Sequence, residues 1–376
     1  MKKDTPKLYI ATAYYSPNTA VTNRLMGWLN NLSLLNQQVE MCFFMPTTSK
    51  APYLANVNYH YYGNHFLSFD NKISYLVFLL ISIRLFAFKV KKGDRVLLLG
   101  DCKNLIPILT KKKGVKVYHE ICESPEVVKP RLMSLSSYLK SCSKLDVLFT
   151  ISSTLKEYYR ENGVEESRIV VLNMTVDAER FQNVNKQTVK NKYIAYCGTA
   201  SNTKDGIDLL FKAFSIVLKE FPNIYLYIYG KTPKYDEHNS NMELIEQLKI
   251  RDRVVFKGIV DRDLIPQSLK NAELLVLCRP KNKQAKYGFP TKLGEYLLTG
   301  NPVLVTDVGT ITDFLKDGYN AFISKPDDPL LFAEKICWIL NNYEKAKDVG
   351  EKGRETALIS FNANLETKKM LKYIAV

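Results

Sequence analysis

Short apolar runs alternate with helix-length segments along most of this chain, and this alternation constrains the fold more than any other feature. In the first half, strands are predicted at 8–11, 39–44, 57–62, 96–99, 115–119, 146–151 and 169–172. Helices are predicted near 21–35, 104–111, 131–143 and 154–162. Continuous apolar strands separated by helices are typical of a parallel sheet that is covered on both faces. The first half is therefore predicted to be a doubly wound α/β domain.

The second half repeats this pattern after a polar stretch at 177–192, which we interpret as a linker. Its predicted strands are 193–197, 224–229, 254–257, 274–277, 303–305 and 321–323. Its predicted helices are 206–219, 241–249, 263–271, 291–299 and 328–342, with a helical tail from 346 onward. A length of 376 residues suits two domains of ordinary size.

The composition indicates which cellular compartment and which kinds of partner to expect, but it does not predict a function. The 53 Lys and Arg residues outnumber the 38 Asp and Glu residues, which suits nucleotide phosphates, lipid headgroups or nucleic acid. Seven widely spaced cysteines without a CxxC motif predict buried thiols in a reducing compartment. The four histidines show no metal-binding spacing, so no metal site is predicted. The start of the chain shows no secretory signal, and we expect a cytoplasmic protein.

One stretch, residues 73–90, is apolar enough to raise the question of a membrane. A membrane span needs about 20 apolar residues, and Arg84 lies inside this stretch, so a buried or surface-docked helix is favoured. An interfacial helix on a bilayer, with Lys89, Lys91 and Lys92 at headgroup level, remains an alternative.

The stretch 279–306 holds the residues most suggestive of a ligand. A strand leads into a loop with Gly288-Phe289-Pro290, and a helix is predicted to begin near Thr291. Free N–H groups and the positive end of a helix dipole would make this loop an anion site. Lys292 in the first turn opposes the dipole, which makes sense beside a phosphate. Glu295, about one turn later, could accept two hydroxyls of a ribose.

The segment GFPTKLGEYLLTGNPVLVT resembles the nucleotide-sugar-binding signature of retaining GT-B glycosyltransferases, the "glycosyl transferases group 1" family. The common signature has two glutamates; the second matches Glu295, but Tyr287 stands at the first, as in a variant branch reading GFPxKLxEY. The resemblance implies an α/β GT-B fold of two Rossmann-like, doubly wound parallel-sheet domains facing a cleft. It places an acceptor domain at 1–182 and a donor domain at 190–355. Residues 356–376 would form a C-terminal helix that returns to the first domain.

The resemblance also extends to the loop after the first strand of the second half. Family members often read G-R-x-x-x-x-K-G there, with Arg and Lys on the diphosphate. Here Thr199 replaces the Arg, Lys204 matches the Lys, and Arg279 is a candidate replacement for the missing Arg. The predicted donor-binding residues are Gly198, Thr199, Lys204, Lys257, Gly258, Arg279, Gly288, Phe289, Pro290, Thr291, Lys292 and Glu295.

Candidate catalytic residues come from both halves. His119 and Glu120 leave a predicted strand and could orient or deprotonate an acceptor, although His119 could equally be packed against a backbone partner. Lys204 and Arg279 are predicted to stabilise the departing phosphate. Arg24 begins a helix and could reach a substrate, or could be solvated. In the retaining mechanism that the resemblance implies, the leaving diphosphate can take the acceptor proton, so a dedicated base is not required.

The sequence Asp261-Arg262-Asp263 is a DxD motif, which binds metal in glycosyltransferases of another fold. Because it directly precedes a predicted helix, we interpret these carboxylates as helix-capping groups and expect the enzyme to be metal-independent, without a cofactor.

These patterns lead to one main hypothesis and two alternatives. The main hypothesis is a retaining hexosyltransferase that uses a nucleotide-sugar donor and a glycan or lipid-linked acceptor in surface polysaccharide or lipopolysaccharide synthesis. Peripheral contact with an anionic membrane is part of it. One alternative is a nucleotide-sugar epimerase on the same fold. The other is a non-catalytic protein that binds anions or nucleic acid, although the chain lacks the motifs of RNA-binding sheets and no nucleic acid is expected.

Overall fold

The structure, a computed structural model, divides into two compact units. It describes residues 5–17, 19–45, 47, 49–62, 73, 76–77, 80–81, 88–130, 133–233 and 235–374. Unit 1 comprises the described residues up to Met174 together with those from Ala363 onward. Unit 2 comprises the described residues of Thr175–Asn362.

Unit 1 is built on a seven-stranded parallel sheet within the described residues, with the order β3-β2-β1-β4-β5-β6-β7. Its strands are β1 Leu8–Thr12, β2 Val39–Phe43, β3 Val57–Tyr61, β4 Arg95–Leu99, β5 Lys116–Ile121, β6 Val147–Thr150 and β7 Ile169–Val171. Its helices include α1 Ala20–Leu34, α2 Ile106–Leu109, α3 Leu135–Cys142 and α4 Ser153–Glu161. The Thr19 side chain caps α1 by accepting a hydrogen bond from Thr22 N (3.2 Å).

The helix that completes unit 1 comes from the far end of the sequence. This helix, α13 Ala363–Ile374, buries Met370 and Ile374 in the same core as Ile10 of β1 and Trp28 of α1. Glu366 on the helix also accepts a hydrogen bond from Asn173 N (3.0 Å). The predicted return of the last helix to the first domain is confirmed, and unit 1 is discontinuous in sequence.

Unit 2 contains a six-stranded parallel sheet within the described residues, with the order β10-β9-β8-β11-β12-β13. Its strands are β8 Tyr193–Cys197, β9 Tyr225–Tyr229, β10 Val254–Gly258, β11 Leu274–Leu277, β12 Val303–Thr306 and β13 Phe322–Ser324. The chain builds the sheet outward from β8 in one direction and then from β11 in the other. Ligands of such sheets bind beyond the carboxyl ends of the strands at this switch point, which here lies between β8 and β11.

The helices of unit 2 alternate with its strands along most of the chain. They are α5 Asn202–Asp205, α6 Ile207–Val217, α7 Tyr235–Gln247, α8 Ile265–Lys270, α9 Lys283–Tyr287, α10 Lys292–Leu298, α11 Pro329–Asn341 and α12 Tyr343–Ser360. The short helices α5 and α9 stand where loops were predicted. Each begins at a side-chain cap: Ser201 Oγ accepts from Lys204 N (3.4 Å), and Asn282 Oδ1 accepts from Ala285 N (2.9 Å). A single turn of this kind leaves too short a pattern to be recognised in the sequence.

The apolar stretch 73–90 lies largely outside the described residues, so the helix predicted for it stays a prediction. Within the part of the chain that the structure describes, no helix has the length and apolar character needed to cross a membrane.

Candidate functional site

Glycines at or directly after the carboxyl ends of three neighbouring strands of unit 2 bring the backbones close together. Gly198 N donates to Tyr229 O (2.8 Å), and Gly230 N donates to Gly258 O (2.7 Å). A Cβ added to Gly230, whose φ is +118°, would lie only 2.4 Å from Gly198 O. The backbones therefore approach closely where only glycine fits. Gly198 and Gly230 are half-buried and Gly258 is exposed, so part of this backbone is accessible.

A buried ion pair lies beside Gly198. Lys292 Nζ is 2.6 Å from Asp205 Oδ2 and also donates to the Tyr196 hydroxyl (2.9 Å). Tyr196 donates to Asp205 Oδ2 (2.6 Å), which closes a triangle of three side chains. A Cβ added to Gly198 would lie 2.3 Å from Lys292 Nζ, so the ammonium occupies the space that the glycine leaves. The cation at this site therefore comes from the start of α10.

Burial and pairing act in opposite directions on these two groups. Burial lowers the pKa of Lys292, and the Asp205 carboxylate only partly offsets this effect. Burial also acts to raise the pKa of Asp205, but Lys292, Tyr196 and Arg279 together outweigh burial, and the pKa of Asp205 is lowered overall. The carboxylate is therefore ionised at neutral pH and supports the charge on the lysine.

The loop that carries Lys204 is held in place from several sides. Ser201 donates to Glu237 Oε1 (3.2 Å), and Asn282 Nδ2 donates to Thr203 O (2.7 Å). Gly206 adopts a left-handed conformation (φ +65°), and a Cβ there would lie 1.9 Å from Cys278 O. The loop is thus preorganised, with the Lys204 and Thr199 side chains exposed.

Arg279 does not occupy the position predicted for it. The side chain is only 3% exposed, and its Nε donates to Lys204 O (3.4 Å) and lies 3.8 Å from Asp205 Oδ1. The guanidinium therefore supports the loop from below. The prediction that Arg279 directly replaces the missing family arginine on the diphosphate is not supported by this placement. Lys292, beside Gly198, is the better placed cation.

Glu295 forms a pair that the sequence did not reveal. Arg180 Nη1 lies 2.6 Å from Glu295 Oε1, and Arg180 Nη2 donates to Arg262 O. Arg180 lies outside every motif noted in the sequence, and 115 positions separate it from Glu295. Only a long-range contact connects these two residues, so no local pattern could have identified it.

The predicted anion cradle at Gly288-Phe289 is partly occupied by the fold itself. Gly288 N donates to Gln284 O (3.0 Å), which ends α9. Phe289 is buried, with its ring centroid 5.5 Å from those of Phe314 and Phe361. Pro290 is also buried, and Thr291 is half-buried. Gly288 N and the Phe289 side chain are thus committed to structure, which is a correction to the predicted cradle.

The remaining predicted donor-site residues and the DxD motif are more exposed. Lys257 is exposed, with its Nζ 4.2 Å from the centre of the Tyr227 ring. Asp261 accepts a hydrogen bond from Asp263 N (3.2 Å), so the capping role predicted for the DxD motif is confirmed. Among the described residues, no three His, Cys, Asp or Glu side chains are grouped so as to hold a metal ion.

His119 and Glu120 of β5 lie in a closed environment within unit 1. His119 is 0% exposed, with Nδ1 3.0 Å from Leu98 O and Nε2 3.2 Å from the Tyr138 hydroxyl. Glu120 accepts from Arg24 Nε (2.6 Å) and from Trp28 Nε1 (3.2 Å). Both ring nitrogens and both carboxylate oxygens are engaged, so this placement supports the packed alternative for His119 and a structural role for Glu120.

The architecture matches solved glycosyltransferases over almost the whole chain. Sucrose-phosphate synthase from Thermosynechococcus elongatus has a TM-score of 0.78 and 16% identity over 98% of both chains. The Anabaena protein HepE, solved in complex with UDP and glucose, has a TM-score of 0.73 and 14% identity over 98% of this chain and 99% of that chain. At these identities the similarity shows the fold alone, and that fold is the predicted GT-B fold.

A segment of the sequence also matches a known family. Residues 177–356 match the family described as "Glycosyl transferases group 1". This match agrees with the resemblance that the sequence predicted. An uncharacterised glycosyltransferase from Methanocaldococcus jannaschii is 26% identical over 214 residues, which are 56% of this chain and 54% of the relative. The alignment thus spans about half the length of this curated relative.

Proposed function

We propose that this chain transfers a sugar from a nucleotide-diphosphate sugar to a glycan or lipid-linked acceptor, with retention of configuration. The observation that carries the proposal is the Lys292 ammonium held above Gly198 at the switch point of the unit 2 sheet. A buried ammonium beside accessible backbone suits a diphosphate, because charge-assisted hydrogen bonds are strong in a desolvated site.

Glu295 supplies the second part of the donor site. Its Oε1 is paired with Arg180, and its side chain is partly exposed one turn along α10 from Lys292. In this proposal the carboxylate accepts the ribose hydroxyls while Arg180 keeps it oriented. The known complex of HepE with UDP is consistent with a nucleotide ligand on this fold.

The chemistry then depends mainly on stabilising the leaving group. Negative charge develops on the diphosphate as the sugar departs, and preorganised cations stabilise that charge. In this proposal, Lys292 and the exposed Lys204 are the stabilising cations, and no metal ion takes part. The proposal assigns no proton transfer to His119 or Glu120, because both are buried and hydrogen-bonded. The leaving diphosphate takes the acceptor proton instead.

The net charge of the chain bears on the acceptor. The formal charge of +15 favours a reaction at an anionic surface, such as a lipid-linked acceptor in surface polysaccharide or lipopolysaccharide synthesis at the cytoplasmic membrane face. Flotation with anionic liposomes at low salt tests this part alone. Recovery of all protein in the unbound fraction would reject the membrane contact and leave the donor site unaffected.

The donor proposal is tested by thermal shift with UDP, GDP and TDP, with oligonucleotides as the competing ligand class. We expect at least one nucleotide diphosphate to stabilise the protein and Glu295→Ala to abolish that shift. Glu243→Ala, an exposed glutamate of α7 in the same unit, is the matched control and should keep the shift. A shift with oligonucleotides only would contradict the proposal, and so would an epimerised donor sugar without transfer when acceptors are supplied.

A further inference from the structure

Asp205 is a buried carboxylate on which three elements of unit 2 converge. Its Oδ2 accepts from Tyr196 of β8 and from Lys292 of α10, each at 2.6 Å. Its Oδ1 lies 3.8 Å from Arg279 Nε in the segment after β11. The side chain is 3% exposed, so the carboxylate interacts with these groups and hardly with solvent.

The lysine on this carboxylate is not fully enclosed. An ammonium has three donors, and Asp205 and Tyr196 use two of them. Within the described part of the chain, the third finds no acceptor, and the Lys292 side chain is 17% exposed. The same ammonium lies where a Cβ on Gly198 would be. The pair therefore leaves one donor directed away from Asp205, next to accessible backbone.

We propose that Asp205 is a positioning residue for the donor: it holds the Lys292 ammonium charged and above Gly198, where the diphosphate binds. This inference rests on the proposed function, because it takes the diphosphate site as given. Asp205 itself does not touch the ligand, since its carboxylate would repel phosphate and is enclosed by its three partners. It acts through the lysine.

The charge of Asp205, and not only its shape, carries this role. Burial lowers the pKa of Lys292, and the carboxylate counteracts that effect. Without the negative charge, Lys292 would lose its proton at a lower pH. Diphosphate affinity should then fall on the alkaline side earlier than in the wild type.

Asp205→Asn is the decisive variant, because the amide keeps the shape of the carboxylate and removes its charge. Affinity for UDP, GDP and TDP would be measured by calorimetry between pH 6.5 and 9.5 in the full-length protein. The ratio of variant to wild-type affinity would be followed, so ionisation of the ligand cancels. We expect an affinity loss of about tenfold at pH 7 and an alkaline limb moved down by about one pH unit or more.

Two further variants separate charge from structure. Tyr196→Phe removes a neutral hydrogen bond to the same carboxylate and a neutral acceptor of Lys292, but no charge, so it should move the alkaline limb less than Asp205→Asn does. Asp205→Glu keeps the charge but displaces it by one methylene, so affinity should fall at every pH with the limb in place. This variant also decides the matter if Asp205→Asn does not fold, since wild-type affinity in Asp205→Glu would overturn the positioning role.

The failures are distinguishable. If the wild type binds no nucleotide diphosphate, the proposed function fails and the inference falls with it. If the wild type binds and Asp205→Asn keeps the wild-type alkaline limb, the inference alone is overturned.

Discussion

Two buried ion pairs of the same length, one in each unit, differ in how completely they are enclosed. In unit 1, Arg24 Nε is 2.6 Å from Glu120 Oε1, and in unit 2 Lys292 Nζ is 2.6 Å from Asp205 Oδ2. Both side chains of the unit 1 pair are 7% exposed. Arg24 also donates through Nη1 and Nη2 to the carbonyls of Asn173 and Leu172, and Trp28 donates to the second oxygen of Glu120.

The closed pair has no group left for a ligand, whereas the open pair does. Every nitrogen of the Arg24 guanidinium and both oxygens of Glu120 have partners within unit 1. Lys292 is 17% exposed and keeps a donor without a partner among the described residues. A saturated pair holds several elements in one arrangement, while an open one can exchange a contact for a substrate. The next four predictions test this contrast.

The largest effect is expected from breaking the closed pair. Glu120→Ala should destabilise unit 1 by about 3–5 kcal/mol, because Arg24 would remain buried without its counter-charge. Urea unfolding followed by tryptophan fluorescence measures this in a Trp338→Phe background, in which Trp28 of unit 1 is the reporter. The exposed pair of Glu157 and Arg160 is the control, and Glu157→Ala should leave the midpoint unchanged. Wild-type stability of Glu120→Ala would show that the pair is not structural.

The second prediction concerns the open pair. Lys292→Met should weaken nucleotide-diphosphate affinity about 10- to 100-fold, through the loss of a charge-assisted hydrogen bond worth about 1.5–3 kcal/mol. The affinity for the corresponding nucleoside should not change, because it carries no phosphate. Calorimetry with both ligands checks this, with Lys281→Met, an exposed lysine of the same stretch, as control. An equal loss for nucleoside and diphosphate would show that Lys292 serves the fold and not the phosphate.

The third prediction concerns the pH dependence of stability that arises from His119, which is buried next to Glu120 in unit 1. Burial lowers the pKa of His119 to about 4, below the ordinary value of about 6.5 in an unfolded chain. The unfolded state then takes up a proton between these values that the folded state does not. The neutral imidazole therefore supports stability above about pH 6.5, and this contribution is lost as the pH falls toward 4.

His119→Gln removes this titration. Between pH 7 and pH 5 we expect the wild type to lose about 2 kcal/mol more stability than the variant, from the pKa difference. The same Trp338→Phe background and urea titration measure both proteins. Parallel losses in the two proteins would mean that His119 titrates normally and is accessible, as a catalytic base would be.

The smallest effect is expected from the pair of Arg180 and Glu295, which lies in the proposed donor site of unit 2. Arg180→Met should leave Glu295 less well oriented and lower donor affinity about fivefold, for one hydrogen bond worth about 1 kcal/mol. A 2′,3′-dideoxy nucleotide diphosphate tests whether the loss comes from the ribose hydroxyls. The wild type should bind it less well than the ribose form, and the affinities of the variant for the two forms should differ less. Undiminished discrimination would exclude a positioning role for Arg180.

The sequence predicted the sheets more reliably than the site. Strands β8 and β11 have the predicted bounds because each is a continuous apolar run that is buried in the sheet. Gly198, Lys292 and Glu295 could be predicted as ligand-binding candidates because they follow such strands in a family signature. The prediction of these three residues depends only on neighbouring positions along the chain, which can be read directly from the sequence.

Long-range contacts explain what the sequence could not show. The family motif has K-G where this chain has Lys204-Asp205-Gly206, so the sequence marks Asp205 only as an inserted residue, and its partner Lys292 is 87 positions away. Arg279 looked like a free cation, and only the folded chain shows that it is buried beneath the Lys204 loop. Whether a charged side chain is exposed or enclosed depends on packing against residues that are distant in the sequence. Composition and motif spacing therefore do not predict it.

The discontinuity of unit 1 also bears on how the protein is made. On the ribosome, β1 to β7 emerge first, but Met370 and Ile374 emerge only after all of unit 2. Unit 2 is continuous in sequence and can therefore fold first, while unit 1 keeps part of its core exposed until the C-terminal helix emerges. Unit 1 is thus synthesised first but completes its folding last, and its partly folded intermediate would be the species that chaperones encounter.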